Sequence, residues 1–378
     1  MLVTPTQART KSDPAKFGSR RFHPERIASL RRLIQGNELT ARQQSRWAVV
    51  AARPVSYTIA GPPDPWQFDG HYGDTGGSNA ALQPMRDDLR AAVDYALRYA
   101  LYGAPGDATI ASQILDAYSG IAAFVNSQDG PLIWTRYWPL LVETAMLIGG
   151  MPNFGPIRDR FVATTLRAYN AFEKTAYTRD QNWAAVACCN EIAISGYVGD
   201  RTWFMRALNQ WRAQFNSQIR SGIFLQGQVR NNIAIREIYR EGGSYGNGSH
   251  GLGYSSMALN GFAMGAEWAR LNGEWLFDHV SPEGSSLKGF YEQVASWIHY
   301  PTPENLWFNT SNQHPESPYY NYGYGHTDRD PWADVLQALW PNPDTAFILE
   351  RDIPAKDDQQ WEYLRMGELL YRNRPLYG

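Results

Sequence analysis

Apolar residues recur at helical spacing through most of the chain. Over 85–102 they fall at Leu89, Val93, Ala96, Leu97, Ala100 and Leu101, the stripe that one face of a helix presents. Similar runs cover 110–125, 132–148, 158–175, 183–197, 201–220 and 286–298, with glycine, proline and aspartate in the short gaps. Two more helical runs are expected in the tail, 332–378. Strand-like alternation is confined to 222–230. Serial amphipathic helices joined by tight turns predict an all-α fold of stacked antiparallel hairpins, an (α/α) toroid or incomplete helical barrel. No strict period is present, which argues against a regular solenoid. The whole chain, 1–378, is expected to form one domain.

Three stretches break the pattern. Residues 54–77, PVSYTIAGPPDPWQFDGHYGDTGG, form a long loop carrying Trp66, His71 and Tyr72. Residues 300–331 form a second, with five tyrosines, Trp307, His314 and His326, and His299 at its edge. Long loops in a compact domain are commonly functional, and both are expected to line a cleft. The third stretch, 239–272, opens as a glycine-rich loop and turns near Leu252 into a helix of small residues. Glycine lets a backbone bend sharply and approach a ligand closely. His250 and Tyr254 are four apart and share a helix face, with Arg240 in the loop before them. An imidazole, a phenol and a guanidinium together suit acid–base chemistry; a packed core histidine beside a tyrosine fits the spacing equally well.

Composition narrows the choices. A formal net charge of −2 gives no reason to expect nucleic acid as partner. Residues 1–46 nevertheless hold ten Lys/Arg against three Asp/Glu, read as a solvated first helix rather than a polyanion patch. The 14 Trp and 22 Tyr favour a carbohydrate ligand weakly, since aromatic rings also fill helical cores. Cys188 and Cys189 are adjacent in an apolar helical run and point apart, so they are expected to be packed thiols without a disulfide or metal role. The N-terminus lacks the apolar core of a signal peptide, and no run is long enough to span a membrane. A soluble protein without a membrane partner is expected, released by lysis, phage-borne or trimmed. The three histidines at 299, 314 and 326 match no helix-borne metal pair, so neither a metal nor another cofactor is expected.

The segments WTRYWPLLVETAMLI, QNWAAVACCNEIAISGYVGDRTWF, GSHGLGYSSMALNGFAMGAEWARLNG and SSLKGFYEQVASWIHY stand in the order seen in the alginate lyase superfamily, which the chain resembles over roughly residues 85–300. The resemblance implies an (α/α) toroid and a polysaccharide lyase. It implies that Asn182, in Gln181-Asn182-Trp183, takes the family asparagine's place, with no histidine following it. Tyr254, in LGYSSMAL, takes the place of the catalytic tyrosine. The arginine that some members carry six or seven residues earlier is absent here, where Gly248 and Asn247 stand. Arg240 supplies that charge from further back, or His250 takes part of the role.

The implied reaction is β-elimination on a uronate-containing polysaccharide such as alginate. Donors aimed at the uronate carboxylate make the C5 proton acidic. Asn182 with Arg240 or His250 is assigned that task, and Tyr254 and His250 the proton transfers. His71, Tyr72, Trp66, Arg136, Trp183, Tyr245 and Asn247 are assigned to substrate binding; for Arg136 an ion pair with Glu143 is the alternative. Two other classes remain open. A glycoside hydrolase needs two carboxylates across the bond, from Asp74, Asp129, Glu143 and Glu241. A glycan-binding or virion-associated protein would bind sugar without turnover.

Overall fold

The computed structural model describes residues 13–20, 22–68, 78–127, 129–177, 182–221, 233–235, 248–299, 331–350 and 367–371. Its helices are α1 (Pro24–Gln35), α2 (Ala41–Ala51), α3 (Leu82–Tyr102), α4 (Pro105–Ser119), α5 (Gly130–Leu147), α6 (Gly155–Tyr177), α7 (Asn182–Val198), α8 (Arg201–Gln218), α9 (Gly248–Leu271), α10 (Leu287–His299), α11 (Pro331–Leu339), α12 (Pro343–Glu350) and α13 (Gly367–Tyr371). Local sequence accounts for several of their ends. Thr40 and Gln43 form a reciprocal capping box at the start of α2, and the Asp200 carboxylate accepts from Trp203 N at 2.9 Å at the start of α8. Proline opens α1 and α4, where a missing N–H costs nothing, and Gly103 ends α3 with φ of 71°. One two-stranded antiparallel ribbon pairs β1 (Ile219–Ser221) with β2 (Ile233–Ile235), Arg220 opposite Ala234. The alternating stretch 222–230 lies outside the described residues.

The helices assemble as a toroid. α3 packs on α5, α5 on α7, α7 on α9 and α9 on α11, which makes an inner ring. Behind it lie α4, α6, α8 and α10, each hairpin-linked to an inner neighbour. α13 packs on α11 and reaches α1 and α2, which in turn touch α3 and bring the ring back to its start. Among the described residues no helix is long and apolar enough to cross a membrane.

The aromatic load is mostly core. Trp66, Phe68, Phe124, Trp134, Trp138, Phe161 and Phe172 form one chain of ring contacts between α5, α6 and the loops beside them. Trp211, Phe215 and Phe262 form another between α8 and α9. Each such pair adds roughly 1 kcal/mol beyond the area it buries. The composition-based argument for a sugar ligand therefore loses most of its weight.

The basic N-terminal segment is neither a free patch nor a merely solvated helix. Arg20 donates to the carbonyls of Tyr197 (2.8 Å) and Val198 (3.1 Å) at the C-terminal end of α7. Arg31 donates to Ala100 O (2.9 Å) in the last turn of α3, Arg26 to Leu370 O (2.8 Å) in α13, and Arg42 to Leu349 O (2.7 Å) in α12. The last carbonyls of a helix have no intrahelical donor and carry the negative end of its dipole. Four arginines of one segment thus cap four helices contributed by distant parts of the chain.

A buried polar node completes the closure. Glu267, near the C-terminal end of α9, is held by Arg270 through two 2.7 Å bonds, as expected of a structural ion pair. Tyr371 of α13 donates to the same carboxylate and lies 2.8 Å from His23 Nε2. Arg270 Nη2 lies 3.3 Å from His23 Nδ1, so the neutral ring accepts there and carries its proton on Nε2. Burial is the largest influence on His23, and with Arg270 and Arg26 it lowers the imidazole to about 3 despite the opposing pull of Glu267. Burial alone would raise Glu267, yet Arg270, His23 and Tyr371 hold it down at about 2.

Candidate active site

The site is built where α7 and α9 lie side by side. Their contacts advance together along both helices: Asn182 against Met257, Ala185 against Gly261, Cys189 against Gly265 and Gly196 against Asn272. The two helices are therefore parallel, and their N-terminal ends open on the same side of the ring. Small residues make the close approach possible. A Cβ on Gly261 would stand 2.6 Å from the Ala185 carbonyl carbon and 2.7 Å from Val186 N, so only glycine fits. This is the structural reason for the small-residue run that the sequence shows after Leu252.

Asn182 is the first residue of α7. Its side-chain amide donates to Met257 Sδ at 3.1 Å, and its carbonyl accepts from Trp183 N at 3.0 Å. The side chain is buried against α9, one helical turn below the level of Tyr254. His250 and Tyr254 lie in the first two turns of α9, and by helical spacing residues 250, 254 and 257 follow one stripe. The structure thus brings the backbone of all three candidates to one mouth of the ring, where two helix N-termini add partial positive charge. Arg240, Tyr245, Asn247, His71 and Tyr72 lie outside the described residues.

Two expected sugar contacts do not fit their surroundings. Trp66 is wholly buried: its indole donates to Gly130 O at 3.3 Å, and its backbone pairs with Ala123 and Val125. It pins the loop that follows Pro54 to the turn before α5 and has no face to offer a sugar. Trp183 is 7% exposed and belongs to the α7 interior rather than to a cleft wall. In both cases a tryptophan's bulk won over its stacking chemistry.

Arg136 does stand where a ligand could reach it. It is half-buried on α5 with its guanidinium 5.9 Å from the Tyr137 ring centroid. Arg86 of α3, not singled out from the sequence, donates to the Tyr137 hydroxyl at 2.5 Å and lies 5.4 Å from the same ring. Two guanidiniums therefore flank one phenol between adjacent inner helices, an arrangement suited to a carboxylate. No local motif marks Arg86; only the packing of α3 on α5 brings it to Tyr137.

The carboxylates for a hydrolase fare differently. Asp74 and Glu241 lie outside the described residues. Asp129 precedes α5 and Glu143 sits fourteen residues along, about 20 Å apart at the helical rise. That separation exceeds the roughly 5–10 Å a glycosidase pair requires. His299, considered as a ligand, instead bonds Asp344 at 2.9 Å and stacks on Phe347.

Comparison with known proteins bears on the same helices. Residues 159–304, which take in α6 to α10, match the profile of the alginate lyase family. The chain belongs to the alginate lyase superfamily of polysaccharide lyases. Over 89% of its length this superfamily member superposes on 90% of an alginate lyase A1-III chain, a histidine-to-alanine variant complexed with a tetrasaccharide, with a TM-score of 0.59 and 18% identity. The crystal structure of alginate lyase A1-III from Sphingomonas species A1 gives 0.61 at 17% identity, covering 86% of this chain and 91% of that one. An alginate lyase from Bacteroides ovatus gives 0.53 at 11% identity, covering 83% and 95%. At these identities the likeness carries the fold. No curated protein sequence gives a significant match.

Proposed function

We propose that this superfamily member cleaves a uronate-containing polysaccharide, alginate or a related polyuronate, by β-elimination at the mouth formed by α7 and α9. The observation that carries the reading is the parallel packing that sets Asn182 beside Met257, one turn from Tyr254 on the neighbouring helix. The printed descriptions of the similar structures, alginate lyases bound to a tetrasaccharide among them, agree with it.

The chemistry follows from what an enolate-like transition state needs. A uronate C5 proton becomes removable once donors neutralise the carboxylate beside it. The Asn182 amide is positioned for this: its resting acceptor is a thioether sulfur, a weak partner that a carboxylate oxygen displaces, and Met257 has the flexibility to yield. Arg240 adds charge from the preceding loop. Tyr254 protonates the departing O4. It also takes the C5 proton when both lie on one face of the ring; when they lie on opposite faces His250 takes it, so the epimer at C5 decides. A phenol ordinarily titrates near 10, and the N-terminal end of α9 with a neighbouring cation favours its anion. Arg86 and Arg136, flanking Tyr137, hold the carboxylate of a neighbouring sugar. His71, Tyr72, Tyr245 and Asn247 complete the binding surface.

The test compares two readouts on a panel of uronate polymers: new reducing ends, and the ultraviolet absorbance of a 4,5-unsaturated uronate. A lyase yields one double bond per new end. Reducing ends without absorbance would make the protein a hydrolase, and binding without either would make it a non-catalytic glycan-binding protein.

A further inference from the structure

The toroid carries an aromatic and cationic ledge at the end opposite its proposed mouth. Tyr102, the last residue of α3, is 51% exposed although its neighbour Leu101 is buried. Trp47, half-buried on α2, stands with its ring 6.0 Å from that of Tyr102 at an angle of 57°. Arg31 of α1 is fixed beside them by its bond to Ala100 O and lies within electrostatic reach of the Tyr102 hydroxyl. Arg32 is exposed next to it. Three elements thus converge on two open rings and an anchored guanidinium. A tyrosine at a helix terminus has no packing reason to stay this exposed against an indole.

The position matters as much as the composition. α3 belongs to the inner ring, and its neighbours run parallel to it, each returning through an outer helix. Its C-terminal end is therefore remote from the end where α7 begins at Asn182; twenty-one residues of helix separate the two levels by about 30 Å. No group assigned to the reaction lies near the ledge.

We propose that Trp47, Tyr102 and Arg31 form a second, non-catalytic binding surface for an acidic polysaccharide. The apolar faces of pyranose rings pack on the two aromatic faces, and a uronate carboxylate meets the guanidinium of Arg31, whose remaining donors face outward from the Ala100 bond. The charge complementarity selects an anionic chain over a neutral one. This assignment rests on the proposed reading of the substrate as a polyuronate. Held at the ledge, a long polymer raises its own local concentration at the mouth, an effect that a short oligomer cannot share.

The test is affinity electrophoresis of the full chain through gels containing polymannuronate, polygalacturonate or dextran, in a Tyr254→Phe background so that the polymer stays intact. Tyr102→Ala, an exposed substitution, is expected to cut retardation by the uronate polymers about threefold or more, Arg31→Gln to do the same, and dextran to retard none of the proteins. With Tyr254 restored, Tyr102→Ala is expected to raise KM for polymer while leaving turnover of a short uronate oligomer unchanged. Unaltered retardation in both variants, or equal retardation by dextran, overturns the ledge. Absence of unsaturated product from wild type on every uronate polymer overturns the lyase reading instead, and the gel result still decides the ledge by itself.

Discussion

Replacing Gly261 with alanine tests the packing on which the site depends. In a free helix the change would stabilise by about 1 kcal/mol, because glycine is the poorer helix former. Here the added Cβ would stand 2.6–2.7 Å from the Ala185 carbonyl carbon and oxygen and from Val186 N. All three are backbone atoms of α7, so relief requires moving a helix rather than turning a side chain. Overpacking of this kind costs roughly 1–3 kcal/mol, and toward the upper end when backbone must shift. The expected net effect is a loss of about 1–2 kcal/mol, or roughly 1–3 °C in Tm for a chain of this size. Gly265 provides the internal control. It lies one turn further along the same helix, and its added Cβ would meet the Trp211 side chain at 3.0 Å with α7 backbone no nearer than 3.4 Å. Gly265→Ala should therefore fall within about 1 kcal/mol of wild type. Chemical denaturation of the two variants measures the difference, and activity on polyuronate measures the displacement of α9 from Asn182. A Gly261→Ala protein as stable and as active as wild type would refute the parallel α7–α9 packing.

Other expectations follow from the same geometry. His23 and Glu267 both titrate lower in the folded chain than in the unfolded one, His23 near 3 against 6.5 and Glu267 near 2 against 4.5. A depressed group gives stability that is complete above its unfolded pKa and is lost as pH falls, so Tm should drop below pH 6.5 and more steeply below 4.5. His23→Gln should flatten the decline between pH 6.5 and 4.5, and an unchanged slope there would remove His23 as its source. Truncating Arg86 to alanine is expected to lower kcat/KM on polymer by roughly ten- to a hundredfold, mainly through KM, since it removes one charge-assisted contact to a carboxylate; an effect confined to kcat would contradict a binding role. Arg20→Ala leaves the carbonyls of Tyr197 and Val198 without their donor and should cost about 1–3 kcal/mol in denaturation while leaving KM alone.

Much of the architecture was legible because it is written in periodicity. The stripes through Leu89 and Leu97, and the tight Gly-Asp turn between α7 and α8, need only helical geometry to be read. The end-to-end assembly was not, because its agents are single arginines whose partners lie far away in sequence. Arg20 and Val198 are separated by 178 residues, and no pattern near either announces the bond. At the site, His250 and Tyr254 were legible as a spacing and Asn182 through a resemblance. Arg86 was not, since its significance arises only when α3 meets Tyr137 of α5. Trp66 and Trp183 show the opposite error: a tryptophan in a long loop or beside a candidate asparagine reads as a sugar platform, yet burial decides its role and burial is set by the tertiary fold.

The central claim is that a phenol and a carboxamide on two adjacent parallel helices carry out β-elimination. It is tested most directly by following unsaturated-uronate absorbance for wild type, Tyr254→Phe and Asn182→Ala on the polymer that wild type cleaves. The account predicts that Tyr254→Phe folds normally, still binds the polymer and forms no detectable product, and that Asn182→Ala loses about a hundredfold or more in kcat through the missing carboxylate donor. Full turnover by a folded Tyr254→Phe protein would contradict it.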